Sequence, residues 1–294
     1  MTRRTAPGVD SGSAMRAVPQ RPFDRRRFLR IAILGGVVLA FGACRTTGGA
    51  GWAGREFRVA LLSDTHIPAD PGRDHRGFDP RENLGRVVSQ VLAMGAEALV
   101  LSGDPARTEG TVEDYRMLKG LLEPAAARMP VAVGLGNHDH RENFLQVFPD
   151  QPGVRPPVEG RHVLVMEHEV VRLIVLDSLL YVNRVAGLLG QAQRAWLEGY
   201  LPTVADRPVV LVVHHTLGDG DRELLDAGRL FDLLRPHGHV KAVFHGHSHA
   251  WKIGQREDLH IVNLPAVGFN SDEEPVGWVE RFNAILQAFL EKVA

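Results

Sequence analysis

Asp64-Thr65-His66, Gly103-Asp104, Gly136-Asn137-His138-Asp139, Val213-His214 and Gly246-His247-Ser248-His249 follow one another along this chain. Together they offer enough imidazole, carboxylate and amide groups for two adjacent metal ions. Imidazole and carboxylate suit Zn, Mn, Fe or Co. Two such ions a few ångströms apart clamp both the attacking and the leaving oxygen of a phosphoryl group. The chemistry these residues could carry is therefore hydrolysis of phosphate esters.

Such groups act together only if the fold gathers them, and the hydropathy pattern predicts elements that do so. Short apolar runs at 57–63, 98–102, 131–135, 209–213 and 240–244 read as strands, each ending at one of the motifs. Between them lie helical patterns. Asp79-Pro80-Arg81-Glu82 has a capping carboxylate, a proline at the first helical position and an acid in the first turn, and Gly95 stops the helix. Thr111 opens a second helix with Tyr115, Leu118, Leu121 and Leu122 on its apolar face, and 191–201 reads as another. Residues 161–167 and 170–176 form a hairpin pattern, and 259–264 a closing strand. Strands alternating with helices imply an α/β fold, whose sites lie at the carboxyl ends of the strands. Residues two apart in extended chain point to one side, which would pair Asp64 with His66 and His247 with His249.

The chain has 294 residues and 44% hydrophobic content, enough for one catalytic domain with appendages. Its formal charge of −1 lacks the basic excess of a duplex-binding protein, so nucleic acid is a poor candidate partner. A small or lipid-linked phosphate ester suits it better. Near the start, Asp24-Arg25-Arg26-Arg27-Phe28-Leu29-Arg30 precedes an uncharged run from Ile31 to Ala43. This resembles a twin-arginine signal peptide. It implies passage through the twin-arginine export machinery to the periplasm or cell surface, with residues 1–43 removed. The only cysteine, Cys44, follows directly in a lipobox-like setting and offers membrane attachment. Residues 44–55 read as a Gly-rich linker, 56–270 as the catalytic domain, and 271–294 as a tail. There Phe282, Ile285, Leu286, Phe289, Leu290 and Val293 predict an amphipathic helix.

The five motifs, in this order, resemble those of the calcineurin-like metallophosphoesterase superfamily, with its D-x-H, G-D, G-N-H-D/E, H and G-H-x-H pattern. The resemblance implies a four-layer αββα sandwich of two mixed β-sheets flanked by helices. It implies that Asp64, His66, Asp104 and His249 hold one divalent ion, and that Asn137, His214 and His247 hold a second, with Asp104 shared. His138 would stabilise the transition state or protonate the leaving oxygen, as an imidazole can near neutral pH. Asp139 would support it or cap the following helix. The ions would lower the pKa of bound water and supply a bridging hydroxide for in-line attack.

Departures from the pattern narrow the class. The run Gly103-Asp104-Pro105-Ala106-Arg107 lacks the second aspartate of the protein phosphatases, and Arg107 stands where purple acid phosphatases place a tyrosine. What remains resembles compact bacterial phosphodiesterases, with phosphomonoesterases beside them. Arg107, His140, Arg141 and His215 are candidate substrate contacts. Two readings of another class are a surface-anchored protein that keeps its metals as scaffolding and a nuclease.

Overall fold

A computed structural model describes residues 29–33, 37–42, 56–70 and 77–269. Two sheets pack face to face with helices outside, the expected four layers. The first runs β1-β2-β3-β4-β5, from Leu29–Ile33, Val37–Gly42, Glu56–Leu62, Ala98–Leu101 and Val131–Val133. The second runs β10-β11-β9-β8-β7-β6, from Lys252–Arg256, Leu259–Asn263, Val240–His245, Val209–Val212, Arg172–Val175 and Leu164–Glu167. β3, β4 and β5 are parallel, as are β7, β8, β9 and β11, with antiparallel strands at the edges.

Alternation along each strand builds the layers. Val59, Leu61, Val100 and Ala132 of the first sheet meet Leu173, Val175, Val212 and Phe244 of the second in the central core. Their neighbours Ala60, Leu62, Leu99 and Leu101 face outward onto α1 (Pro80–Ala93), α2 (Val112–Ala126) and α3 (Arg141–Val147). On the far side Ile174, Leu211 and Val243 pack under α4 (Gly190–Tyr200) and α5 (Ala227–Leu234). Strands buried on both faces explain the unbroken apolar runs.

The helix starts follow the local chemistry. Asp79 accepts from the backbone N–H groups of Arg81 at 2.9 Å and Glu82 at 3.2 Å. Thr111 and Asp114 form a reciprocal capping box. The hydropathy reading gave no strand for β1 or β2, no range for the helix α3 after Asp139, and neither α5 nor β10, the last short and mostly exposed.

Within the stretch read as an export signal, β1 and β2 form an antiparallel pair, and β2 pairs with β3 from Val37↔Leu61 to Gly42↔Glu56. The remainder of that stretch, Cys44, the linker and the C-terminal tail lie outside the described residues. Among the described residues, no helix is long and apolar enough to cross a membrane.

Candidate metal centre

Asp64 and His66 follow β3, Asp104 follows β4, Asn137 follows β5, His214 follows β8, and His247 and His249 follow β9, so the motifs converge on one rim of the sandwich. Asp64, His66 and His249 make one cluster and Asp104, His214 and His247 another, each with donor atoms within 4.8 Å of one another. His66, Asp104 and His138 make a third that overlaps both.

The local backbone is not the extended chain expected. Asp64, His66, Asp104, His247 and His249 lie at φ of 54°, 46°, 49°, 71° and 56°. Aspartate and histidine tolerate this left-handed region better than most residues, yet each such residue stores on the order of 1 kcal/mol or more. In each D-x-H or H-x-H tripeptide, two left-handed residues flank a third and turn both imidazole and partner inward. His66 Nε2 then lies 3.7 Å from Asp64 Oδ1.

Each carboxylate is anchored through one oxygen and turns the other toward the imidazoles. Asp64 Oδ2 accepts from the Ser63 hydroxyl and, at 3.0 Å, from the His247 backbone N–H. Its Oδ1 faces His249 Nε2 at 3.2 Å and His214 Nε2 at 3.9 Å. Asp104 Oδ1 accepts from the His138 N–H at 2.9 Å, while Oδ2 lies 3.2 Å from His214 Nε2. Glycines make this approach possible. A Cβ on Gly136 would sit 2.2 Å from Asp104 Oδ1, and one on Gly246 would sit 1.8 Å from Ser63 Oγ.

These donors fit a pair of divalent ions. Asp64 Oδ1, Asn137 Oδ1 and both ring nitrogens of His214 are buried without a hydrogen-bond partner, which ordinarily costs a few kcal/mol per group. His66 and His249 point their Nε2 atoms at each other 3.1 Å apart. Such a spacing suits two nitrogens each about 2.0–2.1 Å from a common ion. His247 Nε2 engages the Arg222 carbonyl at 3.0 Å, leaving Nδ1 for a ligand's role. The buried histidines and aspartates are consistent with a binuclear metal site.

Electrostatics agree. Burial alone would raise the Asp64 carboxyl, but the facing His214 and His249 hold it well below the ordinary range. Asp104 is likewise driven down by His214 against burial. Burial disfavours a charged His214, yet Asp104 and Asp64 outweigh it and lift its pKa to about 9. Burial pushes His66 down to about 4.

The other residues singled out by sequence have varied surroundings. Half-buried His138 turns Nδ1 toward Asn183 Oδ1 at 2.8 Å and the Thr108 carbonyl at 3.2 Å. Asp139 is buried and does not cap α3. It accepts from the Gly136 N–H at 2.7 Å, the Tyr115 hydroxyl at 3.1 Å and the Ala106 N–H at 3.2 Å, tying three segments together. Burial and neighbouring Asp104 raise its pKa well above the usual carboxylate range. The α3 cap is His140, whose Nδ1 accepts from Asn143 N–H at 3.4 Å. Arg141 forks onto buried Asp177 at 2.6 and 2.9 Å. His215 is buried, with Nδ1 2.7 Å from Ser178 Oγ, and Arg107 is half-buried on the loop after Asp104.

Sequence reasoning missed Ser63, Ser178 and Asn183. It also placed Tyr115 only on an apolar face, where its hydroxyl in fact reaches both Asp139 and the His140 N–H, the latter at 2.8 Å. A buried tyrosine that close to a polar motif was the available signal.

Comparison with known proteins agrees with this geometry. The chain is 33% identical over 181 residues to a probable cyclic nucleotide phosphodiesterase of Rhodopseudomonas palustris, covering 59% of this chain and 62% of that protein. It is 29% identical over 218 residues to the glycerophosphodiester phosphodiesterase GpdQ of Enterobacter lignolyticus, covering 71% and 76%. A cAMP/cGMP dual specificity phosphodiesterase of Mycobacterium tuberculosis is 30% identical over 204 residues, covering 66% and 62%. The matched part thus spans about three fifths to three quarters of these relatives. A dimetal phosphatase from Danio rerio shares the fold, with a TM-score of 0.57 at 14% identity over 72% of this chain and 88% of that one. Residues 57–251 match the family described as calcineurin-like phosphoesterase, and the chain belongs to it.

Proposed function

We propose that this chain is a phosphodiesterase using two divalent ions, Asp64, His66, Asp104 and His249 holding one and Asp104, Asn137, His214 and His247 the other. The observation that carries this reading is the set of buried, unpartnered donor atoms aimed at one rim by both sheets. When bound, the ions supply positive charge for the phosphoryl oxygens and lower the pKa of a bound water. The protein's part is to hold the two carboxylates and the imidazoles inward and to present His138 beside them. His138 donates a proton to the leaving oxygen as its bond to phosphorus breaks and the oxygen of a water, which gives up a proton to solvent, bonds to phosphorus in its place. The departing group keeps the electron pair, and the imidazolium becomes neutral imidazole.

A diester is favoured over a monoester because the relatives above are named for cyclic nucleotides and glycerophosphodiesters. The test is a panel on metal-free protein reconstituted with Mn²⁺. It contains an aryl phosphodiester, the matching monoester, cAMP, cGMP, a glycerophosphodiester and single-stranded DNA. Diester turnover exceeding monoester turnover and abolished by a chelator is the expected result. Monoester preference makes the chain a phosphatase, DNA cleavage a nuclease, and no turnover at full metal loading a scaffold protein.

We further propose export through the twin-arginine pathway, on the strength of Arg25-Arg26-Arg27-Phe28-Leu29 ahead of the uncharged run, with Cys44 as a lipid anchor. Removal of residues 1–43 would take β1 and β2 with it and leave β3 at the sheet edge. Replacing Arg25 and Arg26 by lysine should trap precursor in the cytoplasm, and unchanged export refutes the reading.

A further inference from the structure

We infer that Asn183 is a positioning residue that fixes the ring of His138, an assignment that rests on the phosphodiesterase reading for its consequence but not for its geometry. Asn183 lies in the loop between β7 and α4, in a turn closed by the Arg184 N–H donating to the Tyr181 carbonyl at 3.0 Å. Its φ of 59° is one that asparagine tolerates. From there it holds the Asn137-His138 dipeptide at two points. Its backbone N–H donates to the Asn137 carbonyl at 2.7 Å, and its side-chain Oδ1 meets His138 Nδ1 at 2.8 Å.

The second contact acts together with a backbone carbonyl to set the tautomer. Thr108 places a carbonyl, which can only accept, 3.2 Å from the same Nδ1. With an acceptor on each side, Nδ1 carries hydrogen whatever the ring's charge, and the amide of Asn183 is oriented with its oxygen inward. Nε2 is then the nitrogen left to exchange a proton with a bound ester. The other tautomer would turn a bare Nδ1 toward two oxygens and put the only hydrogen of the neutral ring on Nε2.

The Asn183 side chain has little else to do. It is exposed, and an exposed neutral hydrogen bond contributes about 1 kcal/mol or less to folding. Glycine would serve the turn equally well, so the amide's role lies in what it holds. Loss of a group that orients an active imidazole in this way usually costs roughly 10- to 100-fold in activity.

Asn183→Gly keeps the turn and the bond to the Asn137 carbonyl while removing Oδ1. Three measurements test the inference. In the metal-free protein, long-range nitrogen–proton spectra of the His138 ring should show the Nδ1–H form in the parent and a growing Nε2–H population in the variant. In the Mn²⁺-loaded enzyme, kcat on the best diester of the panel should fall roughly 10- to 100-fold with KM and metal content near the parent's. In a His138→Ala background the same change should cost nothing further, since the ring it holds is gone. An unchanged tautomer, an unchanged kcat, or a loss that persists without His138 overturns the assignment. If the parent hydrolyses no diester, the functional reading fails, while the ring spectrum still tests what Asn183 holds.

Discussion

Replacing Gly136 by alanine adds one methyl group at the tightest point of the metal rim. That carbon would lie 2.2 Å from Asp104 Oδ1, 2.6 Å from His214 Cδ2 and 2.7 Å from the Asp104 backbone nitrogen. Comfortable carbon contacts begin near ~3.5 Å, so the carboxylate has to retreat by about 1 Å, and the backbone contact prevents relief by a simple rotamer change. Overpacking of this kind costs about 1–3 kcal/mol. Because the displaced group is the carboxylate shared by both proposed ions, metal affinity should drop by more than the 10- to 100-fold typical of an outer contact. Gly120→Ala is the matched control. Gly120 is exposed in α2 with nothing within 4 Å of a built Cβ, and relief of glycine's backbone entropy there should stabilise by about 0.5–1 kcal/mol. Denaturant unfolding of the metal-free proteins and a Mn²⁺ titration of each read both effects. A Gly136→Ala protein that unfolds at the parent's denaturant concentration and binds two ions with parental affinity refutes the account of the site.

Two further outcomes follow from the same geometry. Because His214 holds its proton up to about 9 in the metal-free state and must lose it to bind an ion, metal uptake at neutral pH should release protons. Apparent affinity should then rise about tenfold per pH unit per proton up to that value, and calorimetry in buffers of different ionisation heat would expose a pH-independent affinity that sinks the idea. Asp177→Ala strips the partner from Arg141 and the acceptor from the backbone N–H groups of His162 and Leu179. It should cost about 3–5 kcal/mol of unfolding free energy, and a loss under 1 kcal/mol in thermal or denaturant unfolding would contradict it.

The strands and the motifs at their ends were readable in the sequence because burial on both faces writes continuous apolar runs, and Asp79 and Thr111 announced their helices by capping chemistry. The seven proposed donors could be singled out because few other arrangements place aspartate, asparagine and histidine beside glycine so regularly. The backbone conformation that presents them was not, since nothing in Asp64-Thr65-His66 distinguishes an extended tripeptide from one with two left-handed residues. Asn183 was invisible for a different reason: it lies 45 positions from His138, in a loop without periodicity, and only tertiary structure brings them together. Arg141 and His140 stand differently: adjacency to a motif singled them out, and only the structure shows that Arg141 also holds the buried Asp177 just past β7 and that His140 caps α3.

Asp64, His66, Asp104 and Asn137 follow strands of one sheet and His214, His247 and His249 strands of the other, so the proposed ions would rivet the sandwich across its seam. Elsewhere that seam is closed mainly by apolar side chains, whose contacts are non-directional. With the rivets in place, shear between the sheets would have to stretch coordination bonds before it disturbed any ester lying on them. Occupancy and the mechanical stiffness of the whole fold should therefore rise together, and a substitution deep in the central core could loosen the grip on an ion it never touches.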